Sequence, residues 1–462
     1  MNLYLRFALV TIVFFLSLYL FYKASGTLNL QKFNIISYLF YLFLIHNFIG
    51  SSLVYLGFTD HYLIRKVTNI STIDRTYYVI CFVAIALPLT MMLMAKLLKV
   101  DVRKQYDKYL NSEMNLQNES YVFLITVVFS CICIFFALLM FFRMKTIPLL
   151  GLIFNRHVSN AGVQRIHISN TNFINPYIRN ILVLGFTPLL SYLAYIYYKC
   201  TKKKSWAILF YVLFVFSLFI KTYNYAKSPI INYLFVFLLI NIVIKGKIKR
   251  KTLVIFTVFS ACAFVIIYLK LGYINTKLMD IYNGPLGRII FTQIATLFLH
   301  VDLFPMYIPF LQGRSFAPTI LNIFSPGATY IRSGRAVMKF YSPEKVVGGT
   351  AGVMNTLFIG EAYANFGMPG VIFGTLYVGI LFELVYLFFI KREKTPINIV
   401  MYIFLTSTLV SSSQGGFVDY IYSFSTISSI VLLVLILLSS KILLERGYFQ
   451  NIVDKLEKFN SK

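Results

Sequence analysis

Long apolar runs joined by short polar connections set the pattern of this chain. A helix needs about 17–25 mostly apolar residues to cross roughly 30 Å of hydrocarbon. Such runs occupy residues 4–22, 35–57, 77–98, 121–142, 178–198, 206–222, 228–244, 252–271, 368–390, 397–412 and 425–444. They predict an all-α polytopic membrane protein with about eleven transmembrane helices (about 10–13, because short or tilted spans blur the count). No stretch is long enough to fold separately, so residues 1–462 are expected to form a single integral membrane domain. Two long loops interrupt the pattern, at 143–179 and 272–366. The second contains its own apolar segment, 289–299, which is too short to span and predicts a re-entrant or interfacial helix.

Composition narrows the class further. With 58% hydrophobic and only 13% charged residues, the chain could not cover the surface of a water-soluble enzyme. Its five cysteines lie in or at the end of apolar stretches, without the spacing of a disulfide framework or a zinc site. The net charge of +27 comes from 43 Lys and Arg against 16 Asp and Glu, so the polar connections are strongly basic. Lysine and arginine bias orients membrane proteins. The clusters Lys199–Lys204, Lys245–Lys251, Lys391–Lys394 and Lys99–Lys108 belong to the cytoplasmic side, as does the tail from Lys441. The C-terminus is then cytoplasmic, and both long loops face outward.

Outward loops should be poor in Lys and Arg, and these are not. The first holds Arg143, Lys145, Arg156, Arg165 and Arg179 with no Asp or Glu. The second holds Lys277, Arg288, Arg314, Arg332, Arg335, Lys339 and Lys345. Contact with lipid headgroups is one use for such cations. Binding an anionic ligand is another, and arginine's planar fork suits phosphate oxygens. Eight of these twelve cations are Arg, whereas the inner clusters are mostly Lys, which points to a diphosphate site outside. The candidates for diphosphate contact are Lys227, Arg288, Arg314, Arg332 and Arg335, with Arg156 and Arg165 from the first loop. Lys227 precedes Ser228-Pro229 at a helix start, where the helix end adds its own positive pole.

Other chemistry is sparse. The histidines at 46, 61, 157, 167 and 300 lack metal-ligand spacing, and no nucleotide fingerprint is present, so neither a metal nor another cofactor is expected. Nucleic acid is not expected as a partner. Glu361 enters apolar surroundings at the outer boundary; it could act as a base, orient a hydroxyl or pair with an outward Arg. His300, beside Asp302, is the second candidate for acid–base work, or else a polar cap on its segment. Asp419, in the outer loop 411–423, is a candidate substrate contact.

The pattern Gly360-Glu361-x-Tyr363-x-Asn365-Phe366-Gly367-x-x-Gly370, following a long basic outer loop, resembles the bacterial oligosaccharide repeat-unit polymerases (Wzy-type, O-antigen or capsule polymerases). The motif covers the last third of the chain, and the architectural likeness covers most of it. The resemblance implies a membrane glycosyltransferase at the outer face of the bacterial inner membrane, contributing to lipopolysaccharide or capsule synthesis without nucleotide or metal. Its partners would be polyprenyl-diphosphate-linked oligosaccharides within the lipid bilayer, with a chain-length regulator as a further candidate. The motif residues Tyr363 and Asn365 become candidate substrate contacts, and Glu361 and His300 candidate catalytic groups. Two readings from other classes stand beside it, a lipid-linked oligosaccharide flippase or other transporter, and a sensor or scaffold. A glycan ligase shares the donor and differs in the acceptor.

Overall fold

The computed structural model describes residues 2–116, 118–144, 147–154, 161–226, 228–270, 280–282, 284–416 and 423–461. Among them no strand occurs. The main helices are α1 (Leu3–Ser25), α2 (Ile35–Tyr55), α3 (Ser71–Leu97), α4 (Val102–Asn111) and α5 (Glu119–Arg143). They continue as α6 (Pro176–Thr201), α7 (Lys204–Lys221), α8 (Ser228–Lys245), α9 (Arg250–Lys270) and α10 (Gln293–Leu303). The chain ends with α11 (Ser333–Tyr341), α12 (Phe358–Ile390), α13 (Pro396–Ser412), α14 (Phe424–Glu445) and α15 (Gln450–Ser461).

The protein is an all-α polytopic membrane protein. Among the described residues nine helices, α1–α3, α5–α8, α12 and α14, are long and apolar enough to cross a bilayer. The two remaining apolar runs of the sequence fall on α9, with 21 residues, and on the shorter α13, with 17. Helices are the solution here because hydrocarbon offers no partner to a backbone N–H or C=O, and a helix satisfies both within itself.

Two compact units make up the chain. The first comprises Met1–Tyr106, Asn275–Ile390 and Thr408–Tyr422; the second comprises Asp107–Ile274, Lys391–Ser407 and Ser423–Lys462.

In the first unit α3 and α12 pack along each other. They approach closely at Gly379, where a Cβ would come within 2.8 Å of Thr90. The apolar segment expected at 289–299 is realised as a π-helical turn, Arg288–Thr292, leading into α10. Every residue of α10 from Ile294 to Leu303 is buried, so this helix sits inside the unit. A second π turn, Leu44–Phe48, lies within α2 and packs against the first. Gly50 permits the approach, since a Cβ there would run into the Ile290 carbonyl.

Polar groups knit the ends of these helices together. Asn34 caps the start of α2 through Ser37, and its Nδ2 donates to the Ser25 carbonyl and to the Tyr386 hydroxyl. Asp302, at the end of α10, accepts from the Thr68 amide and hydroxyl, the Asn69 amide, the Thr72 hydroxyl and the Tyr341 hydroxyl at 2.7–3.3 Å. Burial alone would push its carboxyl up, but these donors together hold it below the usual carboxylate range.

In the second unit α6 and α7 form an antiparallel hairpin through the basic turn at Lys202–Lys203. Glu119, at the start of α5, receives Lys203 Nζ at 2.8 Å and Trp206 Nε1 at 3.0 Å, which fixes that turn. α6 opens with a π-helical stretch, Arg179–Phe186, and the Lys221 ammonium donates to its Leu184 carbonyl at 3.0 Å. Arg143 and Arg179, two cations of the first long loop, donate to the carbonyls of Phe173 and Thr171. They close that loop on itself.

One buried group stands out in α12. Glu383 is fully buried, and neither carboxyl oxygen has a hydrogen-bond partner among the described residues. An amide keeps the side-chain volume and needs no counter-charge, so Glu383→Gln is expected to melt at the wild-type temperature. Glu383→Ala, which leaves a cavity, should cost about 2–5 kcal/mol. Thermal unfolding of the purified variants in detergent checks both; equal losses would give the carboxyl a specific role.

Candidate functional site

The site is built on a broken helix in the first unit. At Gly367 the backbone turns to φ 63°, ψ −144°, so α12 is a short helix followed by a long one across a kink. The Gly367-Met368-Pro369-Gly370 sequence dictates this, because Pro369 has no N–H to give the Asn365 carbonyl one turn back. A neighbouring loop supplies the missing donors. Leu311 N donates to the Ala364 carbonyl at 2.9 Å and Gln312 N to the Asn365 carbonyl at 3.0 Å.

Glu361 and Asn365 are four residues apart and share the helix face that meets this loop. Asn365 is fully buried; its Oδ1 accepts from Gly313 N, and its Nδ2 donates to Ser315 Oγ and the Glu361 carbonyl. Ser315 Oγ in turn donates to Glu361 Oε1 at 2.6 Å. The other carboxylate oxygen faces Gly416, whose φ of +116° suits glycine and where a Cβ would run into the carboxylate. Thus Glu361, only 4% exposed, is held between a serine and a glycine backbone.

Beside the carboxylate lies a small cavity of about 10 Å³ lined by Arg332, Ser333, Gly334, Asn355, Thr356, Glu361 and Gly415. That is room for a single small polar group. Arg332 sits at the start of α11 and donates from Nη2 to Asn355 Oδ1 at 3.0 Å. Thr356 Oγ1, and both side-chain polar atoms of Gln414 next to Gly415, are buried without a hydrogen-bond partner among the described residues. Buried polar atoms are nearly always partnered in native structures, so the Thr356 hydroxyl on the lining of this cavity marks a place where a polar group fits.

An apolar groove of about 560 Å³ starts on the same turn. Ala362, next to Glu361, lines it together with Phe316, Phe366, Pro369, Phe373 and Tyr377. Gly370 and Gly374, whose spacing in the sequence suits helix packing, line it too. The groove follows α12 past its break, and Phe373 is 72% exposed at its edge.

The other sequence candidates fall in several places. Arg314 belongs to the loop that crosses α12; its Nε donates to Leu311 O, and its carbonyl accepts from Ile331 N. That pairing brings the Arg332 segment alongside the loop. Arg335 is exposed in the first turn of α11, and Arg288 is exposed at the start of the π turn before α10. Tyr363 is buried against Phe310, edge to face. Arg165 is exposed on the short helix Ala161–Asn170 of the second unit. Lys227, Arg156 and Asp419 lie outside the described residues.

His300 is fully buried in α10, with Nδ1 2.7 Å from the Thr296 carbonyl and Nε2 unpartnered among the described residues. Ser315, Asn355, Thr356, Gly415 and Gly416 are the neighbours of Glu361 that sequence reasoning missed. The Gln414-Gly415-Gly416 run was the one available signal. Among the described residues no cluster of three His, Cys, Asp or Glu side chains could hold a metal ion.

No family model, no curated protein and no solved structure matches this chain.

Two outcomes follow from the geometry. Ser315→Ala removes a donor from a buried carboxylate and an acceptor from Asn365, and should cost about 1–3 kcal/mol. Arg335→Ala, an exposed change, should stay within about 0.5 kcal/mol of wild type. Thermal unfolding compares them directly. The second outcome concerns His300. Burial pulls its imidazole down to about 4, despite the opposing bond to the Thr296 carbonyl. In the unfolded chain the group titrates near about 6.5, so unfolding takes up a proton between the two values. The stability it contributes is therefore complete above about pH 6.5 and lost as pH falls toward 4. His300→Asn should flatten melting temperature against pH across that window.

Proposed function

We propose that this protein is a membrane glycosyltransferase that joins polyprenyl-diphosphate-linked oligosaccharide units at the outer face of a bacterial inner membrane. One observation carries the reading. A buried carboxylate and a guanidinium line a cavity sized for one small polar group, and a long apolar groove begins on the same helical turn. A single hydroxyl fits the cavity, and a prenyl tail fits the groove. The resemblance of Gly360-Glu361-x-Tyr363-x-Asn365-Phe366-Gly367 to the repeat-unit polymerases agrees with it.

In this mechanism the acceptor hydroxyl enters beside Glu361, whose oriented carboxylate takes its proton. The hydroxyl oxygen forms a bond to the donor's anomeric carbon as the bond from that carbon to the diphosphate oxygen breaks. The electron pair leaves with polyprenyl diphosphate, and negative charge grows on its oxygens. Arg332, already fixed by Asn355, answers that charge, with Arg314 and Arg335 as further cations from the adjoining segments. Fixed cations of this kind commonly contribute about 10²–10³ in rate. The tail lies in the groove along α12.

Purified protein given lipid-linked repeat units should lengthen the glycan with no added nucleotide. Lipid movement across vesicles without lengthening would establish a transporter instead, and transfer to an unrelated acceptor would establish a ligase. Arg332→Ala and Glu361→Gln should each slow extension by about 10²–10³. Their melting temperatures report whether the fold persists. Normal chain length in both variants would remove the pair from the site.

A further inference from the structure

The opposite end of the first unit carries a second concave site, of different chemistry. A groove of about 440 Å³ lies between the end of α1, the end of α3 and the start of α4. It falls within the range of about 300–1,000 Å³ typical of small-ligand sites. Gln105 of α4 donates to the carbonyl of Ile390, the last residue of α12, whereas Glu361 lies in that helix's first turn. The two sites therefore sit at opposite ends of a membrane-spanning helix.

Lys23, Lys96 and Arg103 line this groove, with Met92 and Ala95 of α3 adding apolar surface. The single carboxylate among its lining residues, Asp101, is already engaged. It accepts from the Lys104 amide at 3.1 Å and pairs with the Lys104 ammonium at 3.6 Å. The Lys104 amide, first, and then its charge hold Asp101 below the usual carboxylate range. Lys23, Lys96 and Arg103 have no carboxylate partner among the described residues: Lys23 lies over the Tyr19 ring, and Arg103 reaches the Tyr22 hydroxyl at 3.5 Å. The backbone brings the Lys23 and Arg103 segments together. Gly26 takes φ +73°, and a Cβ on it would come within 2.9 Å of Arg103 Cα, so only glycine lets the end of α1 meet the start of α4 this closely.

We infer that this groove binds an anionic phospholipid, its phosphate held by Lys23, Lys96 and Arg103 and its glycerol and first methylenes laid against Met92 and Ala95. Three cations lining one groove suit a phosphate. The apolar residues between them, at the end of two membrane helices, call for one that carries acyl chains. Basic pockets between membrane helices on the cytoplasmic side serve this chemistry, and the positive-inside bias assigns this end to that side. The site neither contains nor requires the residues around Glu361.

The test uses the full chain in nanodiscs of phosphatidylcholine containing a minor fraction of phosphatidylglycerol, with retained lipid counted by native mass spectrometry. Wild type should keep phosphatidylglycerol in preference to phosphatidylcholine, and added inorganic phosphate should not displace it. A K23A/K96A/R103A variant should lose roughly 100-fold in retention, about fivefold per cation. Lys108→Ala, an exposed cation of α4 outside the groove lining, should retain the lipid. All three cations are exposed, and unchanged melting of the triple variant in phosphatidylcholine alone confirms an intact fold. Equal retention of the two lipids, or full retention by the triple variant, would overturn the site. Displacement by millimolar phosphate would reassign it to a free anion.

Discussion

A helix that breaks along its own length inside a membrane protein leaves carbonyls that lipid cannot satisfy, each at a cost of several kcal/mol. That constraint organises the first unit. Because Gly367 turns α12 and Pro369 carries no N–H, the Ala364 and Asn365 carbonyls must find donors elsewhere, and the loop at Leu311–Gln312 supplies them. Once that loop is fastened to the helix end, the Asn365 side chain holds it by Gly313 and Ser315, and Ser315 reaches Glu361. The polar cluster is thus a by-product of repairing a helix end. Its rigidity follows from the same fact, since nothing in the chain of bonds can relax without exposing a backbone group.

Positive charge serves two different purposes in this molecule. In the second unit Arg143, Arg179 and Lys221 all donate to backbone carbonyls, so each offsets a place where a loop or a π turn leaves an acceptor open. Lys394 does the same for Leu110 and Ser112. In the first unit Arg332 donates to the neutral amide of Asn355 beside the Glu361 cavity, and Arg335 is exposed to solvent. Counting cations on a loop therefore overstates its anion-binding capacity; what matters is how many guanidiniums are already committed to carbonyls.

The helices were legible because a membrane span declares itself by length and apolarity, and every run read from the chain lies on one helix. The segment 289–299 was legible as a short helix, but not its burial, since an apolar stretch of that length suits a lipid surface and a protein interior equally. The π turns were invisible because one extra residue hardly disturbs the helical pattern of apolar positions. Glu361 and Asn365 could be paired from their four-residue spacing and the glycines and proline that follow. Ser315, Thr356 and Gly416 could not: they reach the carboxylate along separate paths of the chain, with no periodicity to announce them. Asp302 drew attention only as a neighbour of His300, yet it is the aspartate that gathers donors from two distant segments, while the imidazole keeps to its own helix.

Asp302 also sets an order of assembly. Two of its partners, Thr68 and Thr72, precede it by 234 and 230 residues, and Tyr341 follows it by 39. Until all three segments have left the ribosome the carboxylate lacks its full set of donors, and burying it early would strand a charge away from water. Four of its five donors are already made when Asp302 emerges, and the last, the Tyr341 hydroxyl, can join only after a further 39 residues. Final closure of this half of the molecule becomes a late, concerted event in biogenesis, well after its first helices have entered the lipid.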